Sequence, residues 1–290
     1  MTDPASPGEP DHSTPRHRLD PSPAARAAPP PAAPRPALAA RELRYALSAL
    51  VYFTRIPLPA WLARWVGFDA SFLAGAARYF PLVGALVGAL GAAVYLLAVR
   101  IWPAGIAVLL SMVATVLVTG ALHEDGLADC CDGLGGSYRR EDALRIMQDS
   151  RLGAYGALGL ALALLLKWQA LAALPSARVA WLMIAAHAAS RAAALSLMLT
   201  LDYVRSAGKA QALAHRLGTG AACVAALLGL SWLAWPNWRF GLAAVFGLWC
   251  LRMALARWYR RRLGGYTGDC LGMAQQLGEI LIYLLALAWT

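Results

Sequence analysis

Three aspartates recur at helical spacing in the stretch GALHEDGLADCCDGLGG, residues 120–136: Asp125, Asp129 and Asp132. Positions i, i+4 and i+7 share one helix face, with neighbouring Cβ atoms about 5–6 Å apart. Carboxylates this close repel, and poor solvation raises some of their pKa values unless a cation sits among them. Oxygen ligands without His or Cys suit a hard cation, Mg²⁺ or Mn²⁺. Gly126 and Gly133 cost about 1 kcal/mol each in a helix interior, and they leave bare backbone for a diphosphate to approach. A solvated acidic cap accounts for any two of these carboxylates; three in a stripe with two glycines point to a metal–diphosphate site. Glu124 lies off the stripe and reads as solvated. His123 reads as an interfacial hydrogen-bonding residue, and Cys130 and Cys131 as packing residues.

Downstream, YRREDALRIMQDSRLGAYG places Arg145 and Asp149 at i, i+4, with Arg151 directly after. An isolated Arg–Asp pair is a modest surface salt bridge. One short helix from a metal site, however, forked guanidinium donors suit phosphate oxygens. Glu141 and Asp142 read as a helix N-terminal turn. A second polar island, RRRLGGYTGDCLGMAQQLGE (260–279), holds Gly265, Thr267 and Gly268, which suit a tight phosphate-approaching loop. Asp269 there is a further metal-ligand candidate, and Glu279 a polar contact within a span. Arg260–Arg262 read either as topology determinants or as a site for anionic lipid heads. His187 and Arg191 stand at i, i+4 inside an apolar run, where ionisable residues are costly and face an internal cavity or pair with each other. Lys167 reads as snorkelling toward the outer end of its span.

The elements that must position these groups are membrane helices. The 290 residues are 59% hydrophobic and only 14% charged, with a mean hydropathy of +0.52, against roughly 25% charged in soluble domains. The net charge of +10 does not point to nucleic acid, because the basic residues punctuate the apolar runs rather than form one face. The cysteines include no C-x-x-C pair and no disulfide framework, which reads as a reducing environment. Residues 1–36 are Pro/Ala-rich and read as a disordered tail without signal-peptide order; residues 37–290 read as one integral membrane domain.

Apolar runs of about 20 residues fall at Tyr79–Val99, Ile101–Leu122, Leu152–Leu174, Val179–Leu201, Leu217–Trp235, Phe240–Ala256 and Leu271–Trp289. This predicts an all-α bundle of about seven transmembrane helices. Tyr45–Phe53 is short for a span and reads as re-entrant or interfacial. One set of loops holds Arg100, Arg178 and Arg239; the opposite set holds seventeen Lys and Arg residues. The positive-inside rule makes the rich set cytoplasmic. Stretches 54–59, 123–151, 202–216 and 257–270 then share one cytoplasmic face, where a site can assemble.

The ordered motifs FTRIPLP (53–59), YFPLVGALVGAL (79–90), GALHEDGLADCCDGLGG (120–136), RIMQDSRLGAYG (145–156), Arg191 in ASR and GGYTGDCLGMAQQLGE (264–279) resemble the cobalamin 5′-phosphate synthase family over about residues 44–290. Glu124 departs from the apolar residue expected there. The resemblance implies an Mg²⁺-dependent transferase of the bacterial inner membrane that acts late in cobalamin assembly. It would join adenosylcobinamide-GDP to α-ribazole, or its 5′-phosphate, with loss of GMP. A ribose hydroxyl would attack the phosphorus on the cobinamide arm. Asp125, Asp129 and Asp132 would hold metal, Asp149 and Asp269 being weaker candidates. Arg145, Arg151 and Arg191 would contact the diphosphate. Membrane lipid is an implied partner, and an oligomer is compatible with the sequence.

Two rivals are weaker. CDP-alcohol phosphotransferases open their aspartate pattern Asp-Gly-x-x-Ala-Arg, whereas Asp125-Gly126 is followed by Ala128-Asp129. A cation transporter buries acids near mid-membrane, and the acids here are expected at one face.

Overall fold

The computed structural model describes residues 38–67, 72, 75–205, 217–235 and 237–289. The tail 1–36 and loop residues Lys209 and Arg216 lie outside the described residues. Helices make up the described fold, and its only strand-like pairing is an isolated bridge between Tyr203 and Tyr266.

Along the chain run α1 (Leu38–Phe53), α2 (Ala60–Val66), α3 (Phe80–Ala98), α4 (Ala104–Thr119) and α5 (Leu122–Gly136). These are followed by α6 (Arg140–Ile146), α7 (Ala154–Ala173), α8 (Ser176–Ser196), α9 (Thr219–Leu230), α10 (Trp238–Leu263) and α11 (Gly268–Ala288). Five segments are long and apolar enough to cross a membrane: Ala77–Ala98, Ala154–Ala173, Ser176–Leu199, Trp238–Leu263 and Gly268–Ala288. The α4–α5 pair qualifies only jointly, and it bends by 89°. The expected span at 217–235 forms a shorter apolar helix, Thr219–Ala234. Helix α1 takes in Tyr45–Phe53 but is not among the qualifying spans.

Small residues explain the packing. In α3, Gly84 and Gly88 face α8 so closely that an added Cβ would meet the carbonyl oxygens of His187 and Met183 at 2.3 and 2.6 Å. Small-xxx-small spacing lets helix backbones approach where the hydrophobic effect gives little drive. Helix α8, rich in Ala and Ser, answers in kind and packs against α3, α9, α10 and α11. Its span is the most enclosed of the five, 78% buried.

The bend after α4 has a local cause. Gly120 (φ 66°) and Ala121 (φ 59°) both take the left-handed conformation, which is costly for alanine. Arg55 of the FTRIPLP stretch lies across the turn: its backbone N–H donates to Val118 O at 2.7 Å. A Cβ on Gly120 would meet Arg55 Nε at 2.1 Å. At right angles to α4, α5 runs off the axis of that helix.

Candidate active site

Helices α5 and α11 cross through glycine. A Cβ on Gly126 would meet Asp269 Cα and O at 3.0 Å, and a Cβ on Gly272 would meet His123 O at 3.1 Å. The bare face of Gly126 is thus filled by α11, and that of Gly133 by Met147 and the Ala143 carbonyl. Both glycines serve helix packing, not the approach of a diphosphate to backbone. The crossing brings Asp269 of α11 beside Asp125 and Asp129 of α5.

A cavity of about 230 Å³ opens at this crossing. Asp125, Asp269, Arg205 and Gly268 supply its polar wall, and Tyr52, Phe53, Phe80 and Tyr203 its aromatic one. Burial first, then the charges of Asp269 and Asp125, push the Asp129 carboxyl up to about 7, although Arg205 works against the shift. The spacing of the stripe leads to that mutual repulsion. Its third partner, though, comes from α11.

Asp132 belongs elsewhere. It is buried, and its two oxygens accept from the backbone N–H groups of Gly153 and Gly156, each at 2.8 Å. They cap the start of α7, satisfying donors that a helix N-terminus leaves free. Asp132 shares the face with Asp125 and Asp129 but ties α7 to α5 instead of lining the cavity.

The other sequence candidates separate further. Asp149 and Arg151 form an exposed bidentate pair, closest at 2.6 Å, and the Arg151 hydrogen bonds hold Asp149 down to about 2. Arg145 is exposed and pairs with Asp142, in the acidic first turn of α6. Gly265 packs against the Asp202 carbonyl. Thr267 is fully buried and caps α11 by accepting from the Cys270 N–H.

Arg205 was not singled out for the site from its sequence context. Tyr266 N–H donates to Asp202 O at 2.9 Å and Val204 N–H to Tyr266 O at 3.1 Å, which carries Arg205 onto Asp269 at 2.6 Å. Its guanidinium also donates to Met147 O. The only signal in the sequence was an Arg soon after a span, a position the topology rule explains by itself.

Behind the cavity lies a buried ionic network. Glu279, fully buried in mid-α11, pairs with Lys167, His187 (2.9 Å) and Arg191 (3.3 Å). Three expectations change here. Lys167 does not snorkel: it is buried and meets Glu279. Arg191 is 1% exposed, committed to Glu279 and the His187 carbonyl, and does not reach toward a diphosphate. Glu124 is buried rather than solvated, its Oε1 accepting from Gln276 at 2.8 Å. An acid does therefore sit within a span, but three basic residues surround it, unlike the unneutralised acid of a cation pathway. His123 is buried and stacked on Phe80; its Nε2 has no hydrogen-bond partner among the described residues.

No group of three His, Cys, Asp or Glu side chains among the described residues is arranged to hold a metal ion. The donor chemistry nonetheless fits Mg²⁺. That ion takes one or two carboxylates plus substrate phosphates and waters in preference to an all-protein cage, and Asp125 and Asp269 present two carboxylates to the cavity.

Fold and site together define a polytopic, all-helical membrane protein whose carboxylate cavity sits where two helices cross beside a bent span. Residues 45–287 match the cobalamin-5-phosphate synthase family model, and the chain belongs to that family. It is 55% identical to the adenosylcobinamide-GDP ribazoletransferase of Ralstonia pickettii (strain 12J), over 83% of this chain and 94% of the relative. Relatives of the same name from Leptothrix cholodnii (50% identity, 84% of this chain and 94% of the relative) and Shewanella frigidimarina (46%, 86% and 95%) are also similar. No solved structure matches the chain.

Proposed function

We propose that this protein is an adenosylcobinamide-GDP ribazoletransferase. It joins adenosylcobinamide-GDP to α-ribazole, or its 5′-phosphate, releasing GMP. The observation that carries the site assignment is the α5–α11 crossing, which puts Asp125, Asp269 and Arg205 on one cavity, with Asp129 close enough to feel both carboxylates. Asp125 and Asp129, with Asp269, would hold Mg²⁺, which would supply positive charge to neutralise phosphoryl oxygens. Arg205 exchanges its Asp269 partner for the diphosphate, to which a forked guanidinium is well matched. The aromatic wall excludes water around the attacking ribose hydroxyl. Asp132 holds the start of α7; Arg145 and Arg151, exposed on the segment before it, supply further donors to phosphate.

Seven crossings are proposed, with α4 and Thr219–Ala234 completing the five longer spans. The seventeen-to-three division of basic residues between alternate loops supports a cytoplasmic site in the inner membrane of a bacterium, where soluble nucleotides are available.

The test is direct. Protein purified in detergent is given adenosylcobinamide-GDP, α-ribazole and Mg²⁺, and GMP and the cobalamin product are measured. Stoichiometric appearance of both is expected. Absence of both across divalent metals and lipid conditions, in folded protein, would overturn the assignment.

A further inference from the structure

Away from the site, a groove of about 680 Å³ runs between α8, α9 and α10, within the range of about 300–1,000 Å³ that small-molecule sites occupy. Its walls are apolar, with Leu195, Leu199, Ala226, Leu248 and Trp249 among them, and its lining includes one ionic side chain, Arg252. Arg252 also lines a second hollow, of about 500 Å³, together with Thr200, Arg257, Arg260 and Arg261. An apolar slot therefore adjoins a basic one, and the shared residue joins them.

The basic hollow is organised. Arg252 donates to Ser196 O at 3.2 Å and Thr200 Oγ1 at 2.5 Å, and Arg260 donates to Thr200 O at 3.0 Å. None of Arg252, Arg257, Arg260 and Arg261 has a carboxylate partner among the described residues. Their neighbour Arg262 turns inward to the carbonyls of Leu134 and Ser137, so four arginines, and not the whole basic run, face the hollow. Positive-inside bias accounts for arginines at a helix end, but not for their opening onto a chain-sized apolar groove.

We propose that this groove binds one anionic phospholipid, its acyl chain between α8, α9 and α10 and its phosphate among the four arginines. Guanidinium forks match phosphate oxygens, and clustered basic residues beside a membrane helix attract anionic lipid. A zwitterionic lipid fills the same apolar space, but its ammonium group cancels the charge that the arginines select.

The protein carries its own reporter. Cys223 is exposed and lines the groove; Cys250 is also exposed but does not line it. The full chain in detergent is treated with N-ethylmaleimide, and alkylation of each cysteine is followed by peptide mass spectrometry. Phosphatidylglycerol at ten times its Kd should slow the reaction of Cys223 about tenfold and leave Cys250 unchanged, with phosphatidylcholine much less effective. The double variant Arg252→Gln/Arg260→Gln should lose the preference for phosphatidylglycerol. Unchanged Cys223 reactivity, equal protection by both lipids, or a variant that keeps the preference would each overturn the proposal. The lipid contrast needs no variant, so a double variant that failed to fold would leave the test intact.

Discussion

At the residue scale, the aspartates of one helix face have different occupations because their surroundings differ. Asp129, half-buried beside Asp125 and Asp269, is pushed up to about 7 from 3.8. Between those values the folded protein binds a proton that the unfolded chain has released, so stability falls as pH rises across that window and levels off above it. Metal-free protein should melt at progressively lower temperature from pH 5 to 7. Mg²⁺ should raise Tm more at pH 8 than at pH 5, and Asp129→Asn should flatten both effects in differential scanning fluorimetry. The same variant should reduce GMP release by more than about 100-fold, since even outer-shell changes at metal sites cost 10–100-fold. Asp132→Asn turns an amide N–H₂ toward a backbone N–H, leaving buried donors without an acceptor; about 1–3 kcal/mol of stability is lost. Its Mg²⁺ dependence should be unchanged, a combination that a metal ligand would not give. Glu279 is the counter-charge for Lys167 and Arg191 and also contacts His187, and removing one partner of a buried pair costs about 3–5 kcal/mol. Glu279→Gln should lower Tm sharply, and Lys167→Met in the same chain should restore part of the loss. If the single variant melted like the parent, the network would hold nothing together.

At the scale of elements, the site depends on two tight passages that glycine permits. Gly126→Val would drive a branched side chain into the Asp269 backbone, 3.0 Å from the first carbon added, and separate α11 from α5. Activity should fall at least as far as in Asp129→Asn while helicity by circular dichroism stays near the parent's. Unaltered activity would mean that Asp269 is not needed beside the stripe. The Gly120–Ala121 turn is the other passage. It redirects α5 by 89°, and without that turn the aspartates would continue along the axis of α4, away from the crossing with α11. In the sequence, Gly120 falls inside the expected span Ile101–Leu122 and Gly126 reads as bare backbone for a diphosphate. Their meaning, a bend and a crossing, required the partners Arg55 and Gly272, which lie far away in the chain.

At the scale of the whole molecule, orientation is the proposal to test. A reporter fused after Thr290 should read the outer compartment and one fused before Met1 the cytoplasm. A cytoplasmic signal at both ends would remove one crossing, and Thr219–Ala234, which is not a span candidate even within a bent pair, would be the one to go. Composition, apolar run lengths and the alternation of basic loops already determined a helical membrane bundle, and the ordered motifs already determined its family. These are local properties, written in a few consecutive residues each: about 20 apolar residues span a bilayer whatever they touch. What the tertiary structure decided was which charged groups share a space. Asp269 and Arg205 join Asp125 and Asp129, Asp132 turns away to cap α7, and Lys167 with Arg191 closes on Glu279. Periodicity assigns a residue to a helix face, but the neighbour across that face is chosen by helix crossings, where the absence of a side chain at Gly126 and Gly272 lets two backbones meet.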